Sequence, residues 1–174
     1  YVCTCSQDSI SKDRREMTEC NCTKQSLEEN EKLWHKMHDE KGFKEGQALL
    51  RFRGNMQSGN TTMRDPALFR INTKRHARQE QKYKVWPTYD FAGIIFDSIS
   101  KVSHAMRSKE FELRKELHHT ILDKLGMEKS EFIFFGRLDL EGMPVSKSAL
   151  KPLIENGKVP WYDDPRLPTL EGLR

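Results

Sequence analysis

Glu131-Phe132-Ile133-Phe134-Phe135-Gly136-Arg137-Leu138-Asp139-Leu140-Glu141-Gly142-Met143-Pro144-Val145-Ser146-Lys147-Ser148 is the stretch that sets the fold class. Its first five residues, rich in aromatic and β-branched side chains, predict a buried strand that Gly136 ends. Leu138-Asp139-Leu140 predicts a shorter strand and Glu141-Gly142 a turn; Met143-Pro144-Val145 then leads to Ser146-Lys147-Ser148. Ala149, Leu150, Leu153 and Ile154 share one face of a following helix. Strand, polar loop and helix in succession are α/β logic. A Ser-Lys-Ser loop between apolar segments can hold a polyphosphate, though by itself it is also an ordinary turn with a helix cap.

The alternation continues upstream. Val85-Trp86-Pro87-Thr88-Tyr89-Asp90-Phe91 leads from an apolar strand through a Pro-restricted turn into a helix carrying Ala92, Ile94, Ile95 and Phe96. Tyr89 stands where its hydroxyl can reach a cleft. Ser103 to Glu110 reads as a polar interruption before a helix bearing Leu117, Ile121, Leu122 and Leu125, with Ser108 as its cap and Arg107 beside its start. Arg107 offers a planar two-donor face suited to a carboxylate. His118-His119 reads as a polar pair on that helix.

Closer to the amino terminus, Gln47 to Gly59 reads as a strand running into a turn, and Leu68-Phe69-Arg70-Ile71 as a short alternating strand that presents Arg70. Arg64-Asp65 can pair with each other in a tight connection. Lys74, Arg75, His76, Arg78, Lys82 and Lys84, interrupted by Tyr83 and Trp86, form the densest basic segment, able to attract phosphate and to stack a base. No GxxxxGK[ST] pattern occurs, which disfavours a P-loop NTPase.

All four cysteines lie in two CxC pairs, Cys3/Cys5 and Cys20/Cys22, separated by a charged segment poor in apolar residues. Four thiolates in two close pairs suit a closed tetrahedral zinc site; free thiols and disulfides are the other readings. Ser26 with Glu29 predicts a capping box opening a helix whose stripe is Leu33, Trp34 and Met37. His35 and His38 read as ordinary helix positions.

With 174 residues, 36% of them hydrophobic, the chain permits one domain or two small ones. Thirty basic and 26 acidic side chains leave +4, too little to imply a nucleic-acid partner from charge alone. No run of about 18 to 20 apolar residues is present to span a bilayer, and Tyr1-Val2-Cys3 does not open a signal sequence. The expectation is a cytoplasmic protein without a membrane partner.

The order of these segments resembles the catalytic region of an archaeal or eukaryotic-type glutamyl-tRNA synthetase. The resemblance is carried by the four cysteines, GNTTMRDPALFRI (59–71), VWPTYDFA (85–92), RSKEFELR (107–114), FGRLDLEGMPVSKS (135–148) and DDPRLPTLEGLR (163–174). It implies an α/β fold with a zinc-bearing connector and acceptor-binding region at 1–84, and the second half of a class I Rossmann-like catalytic domain at 85–174. Tyr89 would line the amino-acid pocket and Arg107 would meet the glutamate side chain. Arg64, Arg70, Arg75 and Arg78 would approach the tRNA acceptor end.

Ser146, Lys147 and Ser148 would form a departed KMSKS loop for ATP, with Pro144-Val145 in place of Lys-Met. ATP is then a substrate, magnesium an accompanying ion and zinc structural. Alternatives are a glutaminyl-tRNA synthetase fragment, or a zinc-stabilised RNA-binding module without ligase activity. The HIGH signature is absent from this stretch, so the resemblance implies a fragment inactive by itself. Its parent would supply the amino-terminal catalytic half and a carboxy-terminal tRNA-binding region.

Overall fold

The computed structural model describes residues 1–136 and 146–170, in two compact units, Tyr1–Phe135 and Gly136–Arg174. In the first unit the chain opens with β1 (Val2–Cys3) and α1 (Gln7–Glu16). Ser6 caps α1 by accepting from the Ser9 amide at 3.2 Å, yet no residue of this helix is buried. Without an apolar face to bury, a ten-residue helix is marginal in water, so its neighbours must hold it. α2 (Leu27–His38) has the predicted capping box: the Glu29 amide donates to Ser26 Oγ at 3.1 Å and the Ser26 amide to Glu29 Oε2 at 2.8 Å. Its Met37 is fully buried, with Leu33 and Trp34 packed alongside.

β2 (Leu49–Arg51), β3 (Ala67–Ile71) and β4 (Val85–Pro87) complete an antiparallel sheet in the order β1-β2-β3-β4. Val2, Met37, Ala48, Ile71 and Val85 form the core beneath it. The predicted helix after Pro87 is α3 (Tyr89–Ile99), anchored where the Thr88 amide and hydroxyl donate to the Leu68 and Ala67 carbonyls at 2.7 and 3.0 Å.

The segment read as a polar interruption is instead a strand, β5 (His104–Ser108). Ala105 and Arg107 face inward while His104 and Met106 face out. The two-residue period was hidden because one of its buried positions holds a charge. After a short 3-10 turn, Lys109–Phe111, comes α4 (Arg114–Leu125), and then β6 (Glu131–Phe135), which pairs parallel to β5 from His104↔Glu131 to Ser108↔Phe135. This is a βαβ unit, since parallel neighbours need a crossover. Ser108 therefore does not cap α4 and makes no side-chain capping bond. Nor is β6 buried throughout: Phe132 joins a core with Ile94, Leu117, Ile121 and Leu122, whereas Ile133 and Phe135 remain exposed.

In the second unit, Ser146 accepts from the Ala149 amide at 3.3 Å and opens α5 (Lys147–Glu155). Leu150, Val159 and Leu167 form a small core there, and Arg166 grips the Asp164 carboxylate with two donors at 2.8 and 2.7 Å. The predicted strand at 138–140, the turn at 141–142, the Met143-Pro144-Val145 approach and the terminal Gly172-Leu173-Arg174 lie outside the described residues. Among the described residues no helix is long and apolar enough to cross a membrane.

One glycine constrains the loop that follows β2. A Cβ on Gly54 would lie 2.0 Å from the Met63 carbonyl oxygen, a backbone atom that cannot rotate away. Gly54→Ala should cost about 1–3 kcal/mol of stability, the usual range for forced overpacking, read as a lowered denaturation midpoint. An unchanged midpoint would contradict this packing.

Candidate active site and metal centre

Arg107 points from the inner face of β5 toward α3 and is only 8% exposed. Its Nη1 donates to the Tyr89 hydroxyl at 2.6 Å and its Nη2 to Asp97 Oδ2 at 2.7 Å. The guanidinium also lies over the Phe132 ring, 4.9 Å from its centroid. Burying a cation without an acceptor is costly, and Asp97 supplies the charge that offsets it. Nε is buried without a partner, and a guanidinium carries more N–H donors than the two contacts made here. Tyr89, at the first position of α3, is half exposed and so faces both Arg107 and solvent.

The next turn is fixed by a second polar group. Asp90 accepts from His118 Nε2 at 3.0 Å and from Arg114. Burial would raise its pKa, but these two partners outweigh that and hold its carboxyl below the usual range. His118, read as one of a polar pair, is 1% exposed, a core histidine tying α4 to α3 through Asp90. Asp97, Asp90 and His118 all escaped the sequence reading. A signal for Asp97 was present: Tyr89, Gly93 and Asp97 follow a four-residue spacing that puts them on one helical face, with the glycine leaving space between the two polar groups.

The four cysteines come together. Cys3 and Cys20 Sγ are 3.9 Å apart, Cys5 and Cys22 Sγ 3.8 Å, and all four sulfurs lie within 4.8 Å of one another. Zinc–sulfur bonds of about 2.3 Å in a tetrahedron require sulfurs about 3.8 Å apart, whereas a disulfide requires about 2.05 Å. All four are free thiols, and neither His35 nor His38 joins the cluster. Burial, with the neighbouring cysteines, pushes the Cys3 and Cys5 thiols upward. Cys22 is instead lowered: burial opposes ionisation there, but bonds from Thr4 and Cys5 favour it. Arg51, 2% exposed, donates from Nη1 to Cys3 Sγ at 3.8 Å and to Cys20 Sγ at 3.7 Å.

The basic residues separate into two kinds. Arg70, Arg75 and Arg78 are exposed, and Arg75 shares its charge with Glu80 at 2.8 Å on the surface. His76 stacks on Trp86 at 4.8 Å beside them. Arg64 is turned inward, donating to the carbonyls of Ser58 and Arg14 at 2.8 and 3.0 Å rather than to Asp65. In the second unit Ser146, Lys147 and Ser148 are exposed at the start of α5, with the two serine hydroxyls 3.2 Å apart.

Residues 1–174 match the family described as tRNA synthetases class I (E and Q), catalytic domain. The glutamate–tRNA ligase of Cenarchaeum symbiosum is 56% identical over 174 residues, covering 100% of this chain and 31% of that protein. That of Nitrosopumilus maritimus is 56% identical over 174 residues, covering 100% and 30%. That of Korarchaeum cryptofilum is 44% identical over 173 residues, covering 99% and 30%. The chain thus spans less than a third of the length of these relatives.

The Arg107–Asp97 pair makes a direct prediction. Asp97→Asn leaves a buried cation without its counter-charge and should cost about 3 kcal/mol, the low end for a buried pair because Asp97 keeps some contact with water. Chemical denaturation of the variant, alone and combined with Arg107→Met, measures it. A double variant losing the full sum of the two single losses would show that the groups do not interact.

Proposed function

The chain belongs to the family of class I tRNA synthetase (E and Q) catalytic domains and has its α/β fold, and from that premise we propose that it serves glutamate activation and transfer to tRNA. The activity is proposed for a protein of the relatives' length that contains this sequence. The observation that carries the choice of amino acid is Arg107, a buried guanidinium with spare donors beside the half-exposed Tyr89. A substrate carboxylate satisfies those donors and adds charge attraction, which an amide does not.

In the proposed reaction the α-carboxylate of glutamate attacks the α-phosphorus of ATP and pyrophosphate leaves. A terminal tRNA hydroxyl then attacks the acyl carbon and releases AMP. Both nucleophiles belong to substrates, so the protein's work is orientation and electrostatic stabilisation. Lys147 would offset charge on the departing phosphates, with Ser146 and Ser148 orienting them at the start of α5. Magnesium would neutralise ATP phosphate charge when bound.

We read 1–84 as connector and acceptor-binding region and 85–174 as the second catalytic half, knitted together where β4 pairs with β3. The exposed Arg70, Arg75 and Arg78, with the His76–Trp86 stack, suit acceptor-end RNA. Arg64, expected beside them, is instead occupied by the Ser58 and Arg14 carbonyls. The sulfur spacing supports structural zinc at Cys3, Cys5, Cys20 and Cys22. A cytoplasmic setting suits four unbridged thiols.

One observation favours glutamine as a second reading: Asp97 already balances Arg107, so the site is not a bare positive charge. ATP–pyrophosphate exchange by the tRNA-replete protein separates the two. Glutamate should support exchange. An Arg107→Met change made with Asp97→Asn, which avoids an orphaned carboxylate, should weaken kcat/KM for glutamate about 100-fold while leaving the KM for ATP nearly unchanged. Exchange with glutamine alone would overturn the choice of substrate, and RNA binding with no exchange at all would leave only an RNA-binding module.

A further inference from the structure

Arg51 is a nearly fully buried cation that neither the activation chemistry nor the four-sulfur coordination uses. Three of its contacts face two different structures. Nη1 reaches one sulfur from each CxC pair, Cys3 and Cys20, while Nε donates to the Asp65 carbonyl at 2.7 Å. Nη2 is buried without a partner. Asp65 is itself held in a left-handed conformation at φ 43°. Its carboxylate accepts from the Gly54 amide at 2.8 Å and the Tyr1 hydroxyl at 2.7 Å, while Arg51 takes the backbone carbonyl of the same residue.

Beside neutral thiols, such a guanidinium has poor acceptors. Beside four thiolates around a divalent zinc, which together carry a formal double negative charge, it has strong ones. The deep pair of sulfurs is the pair it touches, and charged donors to coordinating atoms commonly set metal affinity from outside the ligand set. The far arm ends on the 54–65 loop, which also grips α1 through Arg64 to the Arg14 carbonyl and Arg14 to the Thr61 carbonyl at 2.8 Å. Asn60 and Thr62 of that loop in turn donate to the Leu113 carbonyl at 2.8 and 2.9 Å, where α4 begins.

We propose that Arg51 is a positioning residue of the metal centre, its guanidinium offsetting thiolate charge at Cys3 and Cys20 and tying the bound metal to the 54–65 loop. This rests on the zinc reading given above. A lysine keeps the charge but cannot present donors to two sulfurs and a carbonyl at once; a methionine fills the space and keeps neither.

The test is the zinc dissociation constant, measured at fixed pH by competition with a chromophoric chelator in the full-length protein. Melting of the zinc-loaded and metal-free forms is recorded alongside. Arg51→Met should weaken zinc binding about 10–100-fold, with Arg51→Lys in between, and the rise in melting temperature produced by zinc should shrink accordingly. An unchanged dissociation constant, with both forms losing stability equally, would reduce Arg51 to packing and overturn the proposal while leaving the metal site standing. Absence of zinc binding by the unaltered protein would instead remove the metal reading and this proposal with it. Should Arg51→Met not fold, Arg51→Lys decides alone: a loss of roughly threefold or more supports the two-sulfur geometry and unchanged affinity refutes it.

Discussion

Burying a guanidinium is among the most expensive things a small protein can do, and the Arg107–Asp97 pair is where this chain does so with most consequence. Arg107 is an inward residue of a β-strand, a position that normally takes a branched apolar side chain. Its charge compels α3 to present Asp97, and the four-residue spacing back along that helix brings Tyr89 to the other arm. The position of α3 against β5 is thereby specified by polar contacts as well as by Ile94 in the core beneath. The same device recurs twice. Arg64 is tied to two carbonyls and Arg51 to sulfurs and a carbonyl, so three buried arginines act as polar struts between elements.

That economy explains what could be read from the sequence. α2 was legible because Ser26 and Glu29 form a local motif whose geometry needs nothing from the rest of the chain. β3, β4, α3 and β6 announced themselves through apolar periodicity. β5 did not, because a strand whose inner positions are Ala105 and Arg107 carries no apolar alternation. Ser108 resembles a helix cap for the same reason, although it is the residue on which β5 ends. His118 reads only as a polar helix residue because histidine is ambiguous until its partner is known, and Asp90 lies 28 residues away. The thiol cluster was legible as a set of ligands, although its surroundings were not: Arg51 follows Cys3 by 48 positions with no motif to connect them.

The candidate residues are carried by different elements of the chain. Cys3 and Arg70 stand on strands of the antiparallel sheet, with Arg75 and Arg78 in the connection from β3 to β4; the βαβ unit carries Arg107, and in the second unit Ser146 caps α5, which Lys147 and Ser148 open. α1 has no core of its own and is held by contacts to the 54–65 loop and by the cysteines that bracket it. The structural zinc proposed at these cysteines would supply folding energy to a segment that hydrophobic burial cannot stabilise. The outward face of β5 and β6, with Met106, Ile133 and Phe135 exposed, is apolar beyond what a solvated sheet requires.

The proposed choice of glutamate requires Arg107 to keep donors for a substrate while its internal partners stay in place. A structure of the protein with glutamate bound tests this most directly. The substrate's side-chain carboxylate should lie within hydrogen-bond distance of the Arg107 guanidinium, with the contacts to Tyr89 and Asp97 still formed. A glutamate whose side chain is held elsewhere, with Arg107 engaged only by Asp97 and Tyr89, would contradict it.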